Sequence, residues 1–181
     1  MTVRAPWTVV WRDSVSPLEV QHQPALGFTR QRVVSNGLRN GAVAWVEQED
    51  RVLFIEVDRP IVGHTFLELA RGMRDPEDGT SLDTARRELW EETGYRSEDA
   101  TLIGTIWPDT GLLGDGVDVV RIDAASRTRA GDNDFHAPEF ETQVWLTADE
   151  IDTHIAEGSI RDGISLSAIA LVRAVGRGLE R

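Results

Sequence analysis

At 181 residues and 40% hydrophobic content, the chain is long enough for one globular core, or one core with a short extension. Its net charge of −12 argues against nucleic-acid and anionic-membrane binding, so an anionic phosphate ligand must be met by a metal and local arginines. There is no cysteine, no apolar run near the roughly 20 residues of a membrane span, and no basic-then-apolar leader. A soluble cytoplasmic protein without disulfides or thiolate metal sites is expected.

The first 35 residues read as short strands: Trp7 to Arg12, Leu18 to His22 and Phe28 to Val34, punctuated by Ser16-Pro17. The tryptophans are expected in the core or at an interface. Ser35-Asn36-Gly37 and Asn40-Gly41 are turn signals. Gly41 to Val46 and Val52 to Ile55 are near-continuous apolar runs, which predicts a hairpin buried on both faces.

The stretch Gly72 to Tyr95 carries the chemistry. A Gly/Asp/Pro-rich turn leads to Thr80-Ser81-Leu82-Asp83, an N-cap pattern, and Gly94 reads as a left-handed stop. On the helix between them, Glu88, Glu91 and Glu92 stand at i, i+3 and i+4 on one face, beside the apolar stripe Leu82, Ala85 and Leu89. Like charges at that spacing destabilise a helix by roughly 0.2–0.5 kcal/mol per pair. Acids near the helix C-terminus also oppose its dipole. A divalent cation relieves both, and hard oxygen ligands without nearby His or Cys point to Mg²⁺ or Mn²⁺. The bland alternative is a solvated acidic face.

After Gly94, Thr101 to Trp107 and Gly116 to Ala124 read as strands, and Arg127 to Pro138 as a polar loop. Glu139 to Leu146 enters a further strand. Thr147-Ala148-Asp149-Glu150 opens a helix that Gly158 closes, and Ile164 to Leu179 forms a last amphipathic helix.

Arg87-Glu88-Leu89-Trp90-Glu91-Glu92-Thr93-Gly94 resembles the second half of the Nudix box, G-x5-E-x7-R-E-U-x-E-E-x-G-U. The first half departs: Gly72 to Arg87 is one residue too long, and the pattern's first Glu falls on Gly79. In the family that Glu supports the loop and pairs with the Arg, so here Thr80 or Asp78 must replace it. Arg59-Pro60, the Glu68 to Gly72 segment, Trp107 to Gly111 and the run from Glu150 to Asp162 resemble the ADP-ribose pyrophosphatase branch.

The resemblance implies an α/β (α+β) fold of the Nudix type: an α/β/α sandwich with a mixed β-sheet, here 41–181, and an N-terminal antiparallel strand extension, 1–40. In that branch the N-terminal strands often exchange across a two-fold dimer, so a homodimer is expected. The resemblance implies a Mg²⁺ (or Mn²⁺) site made by the Arg71 carbonyl, Glu88, Glu91 and Glu92. Catalytic roles fall to Glu139, Glu91 and Arg87; Glu139 aligns when Trp145 is the anchor, with Glu141 its rival. Substrate contacts fall to Arg59, Glu68, Gly72 and Pro108; Arg59 and Glu68 read equally well as a structural ion pair and a strand carboxylate. The implied activity is hydrolysis of a nucleoside diphosphate linked to another moiety, ADP-ribose first. Nucleotide-sugar or dinucleoside polyphosphate hydrolysis, and a non-catalytic nucleotide sensor, are the alternatives.

Overall fold

The structure, a computed structural model, describes residues 5–25, 27–123, 126–127 and 142–179. Three N-terminal strands, β1 (Thr8–Arg12), β2 (Glu19–Ala25) and β3 (Phe28–Val34), make an antiparallel sheet of their own in that order. β2 runs past His22 because β3 keeps pairing with it as far as Ala25↔Phe28. This sheet is tied to the rest of the chain by Val33, whose amide donates to the Leu112 carbonyl at 2.8 Å and whose carbonyl accepts from the Gly114 amide at 2.8 Å.

The main sheet begins with the expected hairpin of β4 (Gly41–Gln48) and β5 (Arg51–Arg59). β6 (His64–Glu68) and β7 (Arg71–Gly72) follow, then α1 (Ser81–Thr93), β8 (Tyr95–Arg96) and β9 (Ala100–Ile106). β10 (Val117–Asp123), β11 (Ser126–Arg127), β12 (Gln143–Thr147), α2 (Ala148–Glu157) and α3 (Gly163–Leu179) complete the described chain. The sheet path is β12-β5-β4-β10-β9, with β10 parallel to β4 and the other pairs antiparallel. The polar loop expected from Arg127 lies largely outside the described residues; its first residues pair instead as β11 with β8.

The hairpin does not stay zipped. β4 and β5 pair only at Glu47↔Val52 and Gln48↔Arg51. Beyond that, β6 takes over the same edge of β5 and β7 pairs with β4. Ile55 shows the arrangement: it pairs with Gln143 on one side and Glu68 on the other. His64 is thereby recruited into β6 opposite Arg59. The resulting split in the sheet is where β7 delivers the chain to α1.

Period-2 alternation along β4 and β5 sends side chains to two cores. Ala42, Ala44, Val46, Leu53, Ile55 and Val57 pack with Ala85 and Leu89 of α1. Val43, Trp45, Val52 and Phe54 pack with Ile151 of α2 and Ala168 and Ile169 of α3. The helices therefore flank a mixed sheet on both faces. Leu89 is fully buried, a contribution of about 2 kcal/mol. Trp45 is in the core, whereas Trp11 and Trp107 are about half exposed, at 48% and 54%. Trp11 lies on β1 of the separate N-terminal sheet and Trp107 just past the end of β9, and neither packs into the two cores.

Candidate active site

α1 starts and stops as its sequence dictates. The Thr80 hydroxyl accepts from the Asp83 amide while the Asp83 carboxylate accepts from the Thr80 amide at 2.8 Å. Gly94 sits at φ 75° and donates to the Trp90 carbonyl at 2.9 Å. Between them, Arg87 gathers the preceding loop. Its Nη2 donates to Asp78 Oδ2 at 3.0 Å and to the Met73 carbonyl at 2.8 Å, and its Nε reaches Asp78 at 3.3 Å. Arg74 braces the same turn from outside, donating to the carbonyls of Asp78 and Gly79. The extra residue is thus absorbed in the turn. Asp78 takes the arginine, while Thr80 is spent on the cap.

These contacts set the charges. Burial of Asp78 acts to raise its pKa, but hydrogen bonds from Arg87 and the loop hold it below the ordinary value. Arg87 is raised: burial opposes its charge, and Asp78 and Glu88 outweigh that. Glu88 is raised chiefly by burial, with Arg87 pulling the other way.

The three predicted metal ligands share one helix face but not one point. Arg87 Nη1 lies between Glu88 and Glu91, donating to them at 2.8 and 3.0 Å. Glu92, 7% exposed, accepts from the Arg71 amide at 3.0 Å. Among the described residues, no three acidic or histidine side chains are grouped as a metal site. The Glu88 carboxylate is pressed against Gly72, where an added Cβ would overlap it. The donors at this point suit a hard divalent cation: a desolvated carboxylate, the second carboxylate of Glu91, and the backbone of Arg71-Gly72.

Arg59, Glu68 and Arg71 form one network. Glu68 is 1% exposed and accepts from Arg59 at 3.0 and 2.6 Å and from Arg71 Nη2 at 2.7 Å. Arg71 also reaches Asp162 at 3.3 Å, and Asp162 caps α3 by accepting from the Ser165 amide. The bond to Glu68 is the main cause that raises the Arg59 pKa. Glu68 therefore serves as a buried anchor for two arginines, and Arg59 is already paired.

A cavity of about 210 Å³ opens beside Gly72, lined also by Arg71, Met73 and Pro108. So three of the residues expected at the site, Arg71, Gly72 and Pro108, do meet at one concavity. Its other walls hold residues that the sequence offered only as turn formers or passed over: Asn36, Arg39 and Asp115. Hydrogen bonds from the Ser35 amide and hydroxyl hold Asp115. Glu139 and its rival Glu141 lie outside the described residues. The strand that follows them is anchored beside the helix: Gln143 donates to the Thr93 carbonyl at 3.0 Å, and Trp145 to the Tyr95 hydroxyl at 3.3 Å.

Comparison with known proteins follows the same lines. A crystal structure of an ADP compounds hydrolase superposes with a TM-score of 0.73 at 18% identity, covering 98% of this chain and 95% of that one. The fold, N-terminal strands included, is therefore shared. No curated protein matches the sequence. The sequence profile of the NUDIX domain matches residues 37–165, well over half the chain and the whole of the split sheet and box helix. The chain belongs to the Nudix hydrolase family.

Proposed function

We propose that the protein is a Mg²⁺- or Mn²⁺-dependent pyrophosphohydrolase. It cleaves a nucleoside diphosphate linked to another moiety, with ADP-ribose the first candidate, giving AMP and ribose 5-phosphate. The observation that carries this reading is the Arg87 fork. Pinned by Asp78, it holds Glu88 and Glu91 together beside the bare backbone of Gly72. Hydrolases of this family use divalent metal ions, and Glu88, Glu91, Glu92 and the Arg71 carbonyl are the groups that would hold one here. When bound, the cation supplies charge neutralisation for the diphosphate oxygens and a more acidic attacking water. Arg87 keeps the two carboxylates in register. The Arg71 amide keeps Glu92 buried at the same loop. Glu139, with Glu141 its rival, is the proposed carboxylate that orients or deprotonates the water, upstream of the anchored Gln143. Resemblance to the ADP-ribose pyrophosphatase branch and the crystal structure of an ADP compounds hydrolase support the substrate class.

The outer strands support a homodimer. Val9, Val10 and Trp11 of β1 are 40%, 51% and 48% exposed, and Phe28 of β3 is 59% exposed. Exposed apolar side chains on these strands are what a second copy would cover.

The test is monophosphate release from ADP-ribose, nucleotide sugars and dinucleoside polyphosphates, with and without Mg²⁺, Mn²⁺ and chelator. Metal-dependent release from at least one is expected, and Glu92→Gln should fold but lose about 10²-fold or more in kcat. Absence of release from the whole panel at micromolar enzyme would end the reading.

A further inference from the structure

Two arginines line the cavity beside Gly72, and they are not equivalent. Arg71 is committed to the carboxylates of Glu68 and Asp162. Arg39 bonds only neutral oxygens: Asn36 Oδ1 at 3.0 Å and the Asp75 carbonyl at 3.5 Å. Among the described residues no carboxylate pairs with it, in a chain whose net charge is −12. Its positive charge is therefore left for an anion to meet.

Asn36 fixes where that cation sits. It is only 6% exposed, and both ends of its amide are used. Oδ1 takes Arg39, and Nδ2 donates at 2.5 Å to the carbonyl of Arg74 in the box loop. The guanidinium is therefore clamped to the loop that leads from Gly72 to Arg87. A fixed guanidinium fork matches phosphate oxygens, and the apolar walls of the cavity limit screening.

We propose that Arg39, positioned by Asn36, is the anion-recognition residue of this cavity and binds a phosphate group of the substrate. This rests on the hydrolase reading above for the identity of the substrate, though not for the existence of the subsite. The chemical class recognised is a nucleoside diphosphate, through one of its phosphates. Arg39 acts on binding, and Asn36 acts through Arg39.

Two readouts test it: steady-state kinetics on the best diphosphate substrate, and calorimetric binding of ADP in metal-free buffer. Arg39→Gln should raise KM and the ADP Kd about 10- to 100-fold with a far smaller change in kcat, the loss of a charge-assisted hydrogen bond pair. Arg39→Lys should fall between, because charge survives and the fork does not. Asn36→Asp should weaken binding too, by setting a carboxylate against the guanidinium, and the salt dependence of ADP binding should flatten. If Arg39→Gln fails to fold, Arg39→Lys and Asn36→Asp carry the same readouts. Unchanged KM and ADP affinity in the Arg39 variants would overturn the proposal, as would loss of kcat at unchanged KM. A wild-type protein that binds ADP through Arg39 yet hydrolyses no diphosphate would sink the hydrolase reading and leave this subsite standing.

Discussion

The glycine at position 72 leaves room for a side chain of α1 and is not there for its dihedral angles. A side chain there would occupy the volume of the Glu88 carboxyl group. Gly72→Ala should therefore push the flexible Glu88 carboxyl group off its position, at a cost to the fold below about 1 kcal/mol but lowering kcat more than KM. Thermal melts and kinetics check both. Asp78 makes a different case. It is an acid one residue out of the family register, yet its side chain is 8% exposed and holds Arg87. Asp78→Asn should cost about 2–3 kcal/mol at neutral pH and lower kcat, by loosening the arginine that aligns Glu88 and Glu91. The pH dependence has a definite sign. Since its folded pKa is depressed, this stabilisation is present above the unfolded value of about 4 and disappears as pH falls through the lower folded value. Acid titration of the melting temperature should thus be shallower below about pH 4 in Asp78→Asn than in the wild type.

At the scale of elements, α1 and α2 begin alike, each with a complete reciprocal capping box, at Thr80/Asp83 and Thr147/Glu150. Removing either cap hydroxyl should cost about 1 kcal/mol. Only α1 carries the box acids. Thr80→Ala should accordingly lower both the melting temperature and turnover, whereas Thr147→Ala should lower the melting temperature alone. Equal activity in the two variants would mean that the first turn of α1 does not hold the acids in place. α1 also ends without a basic residue in its last turn, so its acids and its negative dipole end meet there. Arg87 Nη1 and the Arg71 amide now offset that charge.

For the whole molecule, the exposed face of the N-terminal sheet is the feature that a monomer would leave in water. Trp11→Ser with Phe28→Ser should shift a dimer toward monomer in light scattering at micromolar concentration without unfolding the main sheet. A wild-type monomer at that concentration would count against the dimer. Much of the architecture was already written in the sequence, because local rules set it. Apolar alternation determined β4 and β5, capping residues determined the ends of α1 and α2, and the spacing of Arg87, Glu88, Glu91 and Glu92 determined the family. What only the tertiary structure decided depends on contacts between segments distant in the chain. The choice of Asp78 over Thr80 is one, because both lie near the gap and only packing shows that Thr80 is taken by the cap. The pairing of Glu68 with Arg59 and Arg71 is another, because the split of β5 from β4 brings them together. The third is the cavity formed by Asn36, Arg39, Gly72 and Pro108, four residues from three separate stretches. No local pattern encodes that meeting, since it follows from the way the sheet opens and the loops close over it.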